Sequence, residues 1–339
     1  IAGNAFAISE KTVKNAHRFL QVPSMLSLGA ATNNETTTEL FDTIASNLEH
    51  MGLNTHFGPS LTLSSSITQA SNTLNTFGSD PNHTAAMAGS LLKSFYQNDI
   101  LWMPSGFPGG EANRIGNSPA TMLTPGTHFL QRDGLPYLIA IKHGVPIIHV
   151  ANTLAPSIEP DMKPASLSPR VINTLLKGTL NYKGLIVSGP MDGPYIINHY
   201  EPEVAAIQSL IAGSDMLLWS KTSPQIPKAI GLISRAVKNG NIKEKLIDNA
   251  VRRILTLKKK FNLFSRELPK TGNSVKIERQ NRNNETSSRI ERQAITLIKN
   301  DKNILPLIKD ESTPVFMTGV IELESLKKIL LKELKYINH

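Results

Sequence analysis

The chain has no cysteine, which excludes disulfide frameworks, thiolate nucleophiles and cysteine-based zinc sites and leaves the redox compartment open. It also lacks long apolar runs. No segment approaches the roughly 18 to 20 residues that a membrane helix needs, and the opening residues do not read as a basic and apolar signal segment. Acidic residues are the scarcer charge, 27 against 36 Lys and Arg, giving a formal charge of +9. That balance suggests nucleic acid, anionic lipid or an acidic cell-wall polymer as partners. The excess, however, sits in Lys258, Lys259 and Lys260 and in Arg279, Arg282, Arg289 and Arg292, among Asn, Glu and Ser. With no interleaved aromatics this reads as a solvated linker or helix face, and no nucleic-acid partner is expected. Asn-x-Ser/Thr triplets at Asn34, Asn82 and Asn284 carry little weight, because such triplets arise often by chance.

What is present is an alternation of helix and short buried strand. From Glu35 to Gly52 apolar residues recur at Leu40, Ile44, Leu48 and Met51, and LNTHFGPSL then reads as a strand. A second unit has a Ser/Asp-Pro start at Asp80, apolar positions at Ala85, Ala88, Leu91, Leu92 and Phe95, and the strand DILWMPS. PYLIAIKHG before VPIIHVAN, SLSPRVINTLLKGTL before GLIVSG, and EVAAIQSLIAGS before DMLLWS repeat the pattern. Helical crossovers between near-continuous apolar strands predict a parallel sheet, and five such units predict a TIM-like (β/α)8 barrel. Chemistry in that fold gathers on the loops after the strands, here beginning at Pro59, Pro104, Asn152, Gly189 and Ser220. The organisation read from sequence is a barrel domain over residues 1–264, a polar linker over 265–288, and the start of a second α/β domain over 289–339.

The segments VPSMLSLGAA, LEHMGLNTHFGPSL, FGSDP, GFPGG, IEPDMKPASLSPRVINTLLKGTLNYKGLIVS, IAGSDMLLW and NGNIKEKLIDNAVRRILTLKKKFNLF resemble, in order, those of glycoside hydrolase family 3, which contains bacterial β-N-acetylglucosaminidases and related β-glucosidases. RQAITLIKNDKNILPL is similar to the family's entry into a second domain. The resemblance implies retaining chemistry, in which a carboxylate attacks the anomeric carbon and a second group handles the proton. It also implies a periplasmic, secreted or envelope-associated location, a glycan or peptidoglycan fragment as ligand, and no cofactor or metal.

The family's chemical residues are replaced at the matching positions. Its Asp-Asp pair after the strand Val-Ile-x-Ser falls on Gly189 and Pro190. Its Lys-His-Phe-Pro-Gly-His-Gly motif falls on Ser105, Gly106, Phe107, Pro108, Gly109 and Gly110, so the structural residues persist and the sugar-binding ones do not. Thr62 stands at an expected Asp, Asn75 at an Arg, Asn152 at a His and Ala2 at the sugar-binding Asp. The resemblance therefore implies a degenerate, non-catalytic member, and the competing reading is an active β-N-acetylhexosaminidase-like hydrolase with a rearranged site. In that reading Asp192 is the fallback nucleophile, with Glu111 or Asp161 as proton donor, whereas its structural reading is a cap for the turn before Pro194. His143 is expected at a helix C-terminus, His149 as a satisfied core histidine, and His199 with Tyr200 at the pocket or the surface. Glu159 with Asp161 is weak evidence for a metal. The family's first strand is expected upstream of Ile1, so a partner chain or upstream segment is expected to cover an open barrel edge.

Overall fold

Two helices, α1 (Met25–Ala30) and α2 (Asn34–His50), precede the first strand in the computed structural model, which describes residues 22–31, 34–50, 52–65, 74–110, 112, 119–265 and 277–296. Leu40, Ile44 and Leu48 of α2 are buried as their spacing requires, joined by Phe41 and Ala45; Met51 and Ala2 lie outside the described residues. The crossover helix α3 (Pro81–Gln97) starts where the Asp-Pro pair predicts. Asp80 Oδ1 accepts from the backbone N–H of Asn82 (2.7 Å) and His83 (3.1 Å), satisfying two of the helix's free donors, and Pro81 occupies a position where no N–H is needed.

Among the described residues five strands follow in chain order, β1 (Thr55–Ser60), β2 (Leu101–Ser105), β3 (Ile147–Val150), β4 (Leu185–Pro190) and β5 (Met216–Leu218), and each pairing there is parallel. Thr55 pairs with Leu101, Ile147 with Leu185, and Val187 with Met216. The β1–β2 and β3–β4–β5 sheets meet where the chain just past β2 runs alongside β3: Phe107 N–H donates to His149 O (3.3 Å) and Ala151 N–H to Phe107 O (2.9 Å). Parallel neighbours require crossovers. These are α3, then α4 (Leu135–Lys142), then a π-type helix α5 (Arg170–Thr179) in which Leu180 N–H reaches Leu175 O, then α6 (Pro194–His199) with α7 (Pro202–Ala212). α6 escapes the sequence reading because six residues are too few to show a period.

Alternate strand residues face opposite ways. Trp102, Ile148, Val150 and Ile186 join the core shared with the helices, while Leu101, Met103, Ile147, Leu185 and Val187 form a second core closed by Phe261. Phe261 ends α9 (Glu244–Lys260), which follows α8 (Gln225–Lys238) across the expected turn at Asn239 and Gly240. Lys258, Lys259 and Lys260 are exposed in the last turn of α9, where cations favour the helix dipole.

The parallel α/β architecture is met: five parallel strands and their crossover helices are present among the described residues, which do not themselves close a ring. α10 (Ile277–Ala294) starts within the stretch read as a linker and lies in the unit Ile1–Ile295. Its polarity concealed it. α10 is held by Ile290, which is fully buried, and by Glu39 of α2, which accepts from Thr286 (3.2 Å) and pairs with Arg289 (2.6 Å). Residues 297–339 of the expected second domain lie outside the described residues.

One ion pair ties α9 to the strands. Asp215 Oδ1 accepts from Arg253 Nε (3.0 Å) and Nη2 (2.5 Å), and its Oδ2 accepts from Ile186 N–H (3.0 Å). Asp215→Ala leaves a buried N–H and a guanidinium without their acceptor. It is expected to lower stability by about 3 kcal/mol, read as an earlier urea midpoint with an unchanged slope.

Candidate functional site

At the carboxyl end of β4 the backbone of Gly189 is buried, and the side chain of Asn152, from the end of β3, lies directly on it. A Cβ placed on Gly189 would stand 2.6 Å from Asn152 Cγ and 2.9 Å from its backbone N, distances no side chain tolerates. The amide is fixed from both ends. Ser166 Oγ donates to Asn152 Oδ1 (2.5 Å), and Asn152 Nδ2 donates to Pro190 O (2.8 Å). Gly193 N–H also donates to Pro190 O (3.0 Å), which closes the turn. On the other side Ser188 Oγ donates to Gly189 O (2.9 Å) and accepts from Leu218 N–H (3.1 Å), holding β4 to β5. Asn152, Gly189 and Pro190 thus come together as a neutral, hydrogen-bonded cluster.

The loop after β2 is also filled from within. Gly106, Phe107, Pro108, Gly109 and Gly110 are all buried. Phe107 sits edge-on to Tyr137 (5.2 Å) and Phe129 (6.2 Å), and Ser105 O accepts from Tyr137 Oη (2.8 Å). Gly109 has φ +133° and a Cβ there would lie 2.9 Å from Asp133 Cβ; at Gly110 it would lie 2.5 Å from Met122 N. The persistent Phe-Pro-Gly residues are therefore explained by packing. Burial pushes the Asp133 carboxyl up from its usual range, partly offset by the Thr124 hydroxyl, which donates to Oδ2, and by Arg132.

The remaining positions are spread around this end. Thr62 is buried and accepts from Ser60 Oγ (2.8 Å), whose hydroxyl also reaches Ser105 O (3.4 Å). Asn75 is exposed on a turn. Asp192 does not cap the following helix: its Oδ1 accepts from Ser220 N–H (2.8 Å), linking the β4 and β5 loops, and its buried Oδ2 has no partner among the described residues. The expected local cap at Asp192 is corrected, because α6 starts at Pro194 behind Gly193 with no side-chain cap. Glu111 lies outside the described residues. Glu159 is buried and takes the Ser168 hydroxyl and Arg170 (3.2 Å), and Asp161 pairs with the same Arg170 (3.6 Å). One guanidinium supplies the positive charge that a metal reading of this pair requires.

Among the histidines, His143 is exposed at the C-terminus of α4, as expected. His149 is buried as expected but not satisfied. It is 3% exposed, neither ring nitrogen has a partner among the described residues, and its ring meets Phe57 edge-on at 4.8 Å. His199 is exposed on α6, and Tyr200 is half-buried against the Met191–Ile196 cluster, its hydroxyl shifted up chiefly by burial. Ser166, Thr124 and Asp133 shape the site without any mark in the sequence, since each acts through a partner that only the fold brings near.

Comparison with known proteins fits this architecture. Residues 12–257 match the glycosyl hydrolase family 3 N terminal domain. The chain is 23% identical over 322 residues to a beta-N-acetylglucosaminidase/beta-glucosidase of Cellulomonas fimi, covering 91% of this chain and 56% of that protein. It is 24% identical over 295 residues to beta-hexosaminidase A of Pseudoalteromonas piscicida, covering 80% and 48%. The solved family 3 beta-N-acetylglucosaminidase of a Paenibacillus strain superposes with a TM-score of 0.78 at 25% identity, covering 88% of this chain and 56% of that one. The chain spans about half the length of the curated relatives it matches.

The unpaired imidazole of His149 generates a pH prediction. Burial lowers its pKa from 6.5 to about 3, so the unfolded chain binds its proton first as pH falls. The fold keeps the full benefit of neutral His149 above about pH 6.5 and loses about 1.4 kcal/mol per pH unit below it. His56, lowered to about 4 mainly by burial, acts in the same direction. Urea midpoints are expected to fall steadily from pH 7 to pH 4.5, with a shallower decline in His149→Leu; equal slopes in the two proteins would contradict the assignment.

Proposed function

This chain belongs to glycosyl hydrolase family 3, and from that membership we propose that it is a non-hydrolytic member, retained for carbohydrate binding, on a barrel of the (β/α)8 kind. The observation that carries the reading is the Asn152 amide resting on Gly189. Retaining hydrolysis needs a carboxylate nucleophile facing the anomeric carbon, with a partner carboxyl group about 5 to 5.5 Å away. At Gly189 there is no side chain to attack with, and the volume a nucleophile would occupy holds a neutral amide that is hydrogen-bonded at both ends. Ser105, Gly106, Thr62 and Asn152 likewise offer no charge to a sugar. Losing a nucleophile together with its positioning groups removes orders of magnitude in rate.

A rearranged retaining hydrolase using Asp192 is the second reading, favoured by the unpartnered Oδ2 of that residue. Under the first reading the ligand is a glycan or peptidoglycan fragment, and the matching setting is periplasmic, secreted or envelope-associated. A protein partner or further chain covers the outer edges of β1 and β5, each of which pairs on one side alone among the described residues.

Three measurements test this. Chromogenic β-N-acetylglucosaminide and β-glucoside are expected to show no turnover above background; turnover that disappears in Asp192→Ala would establish the second reading instead. Gly189→Ala is expected to lower stability by about 1–3 kcal/mol through overpacking, and Asn152→Gly in the same protein is expected to restore most of it. Light scattering is expected to show association of the isolated chain, and a stable monomer would remove the case for a covered edge.

A further inference from the structure

We infer that α6, just beyond the Gly189–Pro190 strand end, carries a carbohydrate platform formed by the stacked rings of Tyr195 and His199. The inference rests on the non-hydrolytic, carbohydrate-binding reading and names where the sugar is held. Since the position at Gly189 is filled from within, a glycan has to be met outside it. The β4 loop delivers α6 to that place within a few residues.

The two rings lie nearly parallel, with centroids 4.2 Å apart and planes 25° from each other. His199 Nδ1 is held at 2.9 Å from the backbone oxygen of Tyr195, which fixes the imidazole and leaves Nε2 as its uncommitted polar atom. His199 is exposed and Ile197 beside it is 53% exposed. Ile196 and Tyr200 anchor α6 in the cluster with Leu167 and Met191. A preordered ring pair loses little conformational freedom on binding. Its flat face with polar atoms at the edge matches the apolar face and equatorial hydroxyls of a β-linked pyranose.

The surrounding charge argues against the other occupants that a net charge of +9 would suggest. Between Lys183 and Lys221 the sequence carries no Lys or Arg, and its carboxylates are Asp192, Glu201, Glu203 and Asp215, which disfavours an anionic lipid or a nucleic acid. Ring pairs four residues apart also support isolated helices, so the test has to separate binding from helix support.

Calorimetric titration of the whole chain with chitotetraose and with cellotetraose is expected to give saturable binding of at least one. Tyr195→Ala and His199→Ala are each expected to weaken it about tenfold or more, while Tyr195→Phe retains it and the melting midpoint stays at the native value. Should an alanine variant unfold α6, the ring resonances of Tyr195 and His199 in the unaltered chain decide the matter by shifting, or not, during the titration. Saturable binding that leaves those rings and variants unaffected overturns the platform and leaves the carbohydrate reading standing. No saturable binding by the native chain overturns both, while the absence of hydrolysis remains decided separately by the chromogenic assay.

Discussion

The Asn152 side chain packs on the backbone of Gly189, and much of the closed end of the sheet follows from that contact. Gly189 has to be glycine because the space beyond its Cα is occupied. Asn152 has to present one acceptor and one donor, because Ser166 gives a hydroxyl proton from one side and the Pro190 carbonyl receives one from the other. A half-buried amide with both groups paired carries little desolvation cost, whereas a carboxylate in the same place would have one donor, Ser166, and would face the Pro190 carbonyl. The neutral set is thus self-consistent, and changing one member alone breaks it.

The loop after β2 obeys the same logic by a different route. Its glycines are fixed by backbone conformation and by close neighbours, Gly109 under Asp133 and Gly110 under Met122. Phe107 is fixed by two edge-on aromatic contacts and by the hydrogen bonds that join β2 to β3. These residues hold the wall of the sheet together whether or not a sugar is ever bound. Packing and backbone conformation alone therefore account for Phe107, Gly109 and Gly110 at these positions.

Much of the fold was legible in the sequence because its signals are local or periodic. Asp80 followed by Pro81 marks a helix start through donors two and three residues on, and the five apolar strands stand out between amphipathic helices. Elements without a local signal were missed. α6 is too short to show a period, and α10 joins the core through Thr286, Ser287 and one isoleucine, so its composition resembled a linker. In the site, the glycine at the end of β4 could be read from position along the chain. What fills the gap could not, because Asn152, Ser166 and Pro190 are joined by contacts across loops, and the carboxylate of Asp192 finds its partner at Ser220 rather than in its own turn.

Among the described residues, the interior retains in His149 a polar ring for which packing offers no return. His149 meets Phe57 edge-on and stands in register with Val187 of β4, with both nitrogens unpaired among the described residues. A leucine there would keep the volume without the polar penalty, and Asn152, three residues along the same strand end, shows how readily this stretch satisfies a polar side chain when a partner is near. The contrast separates two kinds of polar residue in a protein with few charges at its strand ends: one whose hydrogen bonds define the closed site, and one that leaves the fold dependent on pH. Stability near neutral pH then rests on His149 staying uncharged, a condition the apolar surroundings themselves impose.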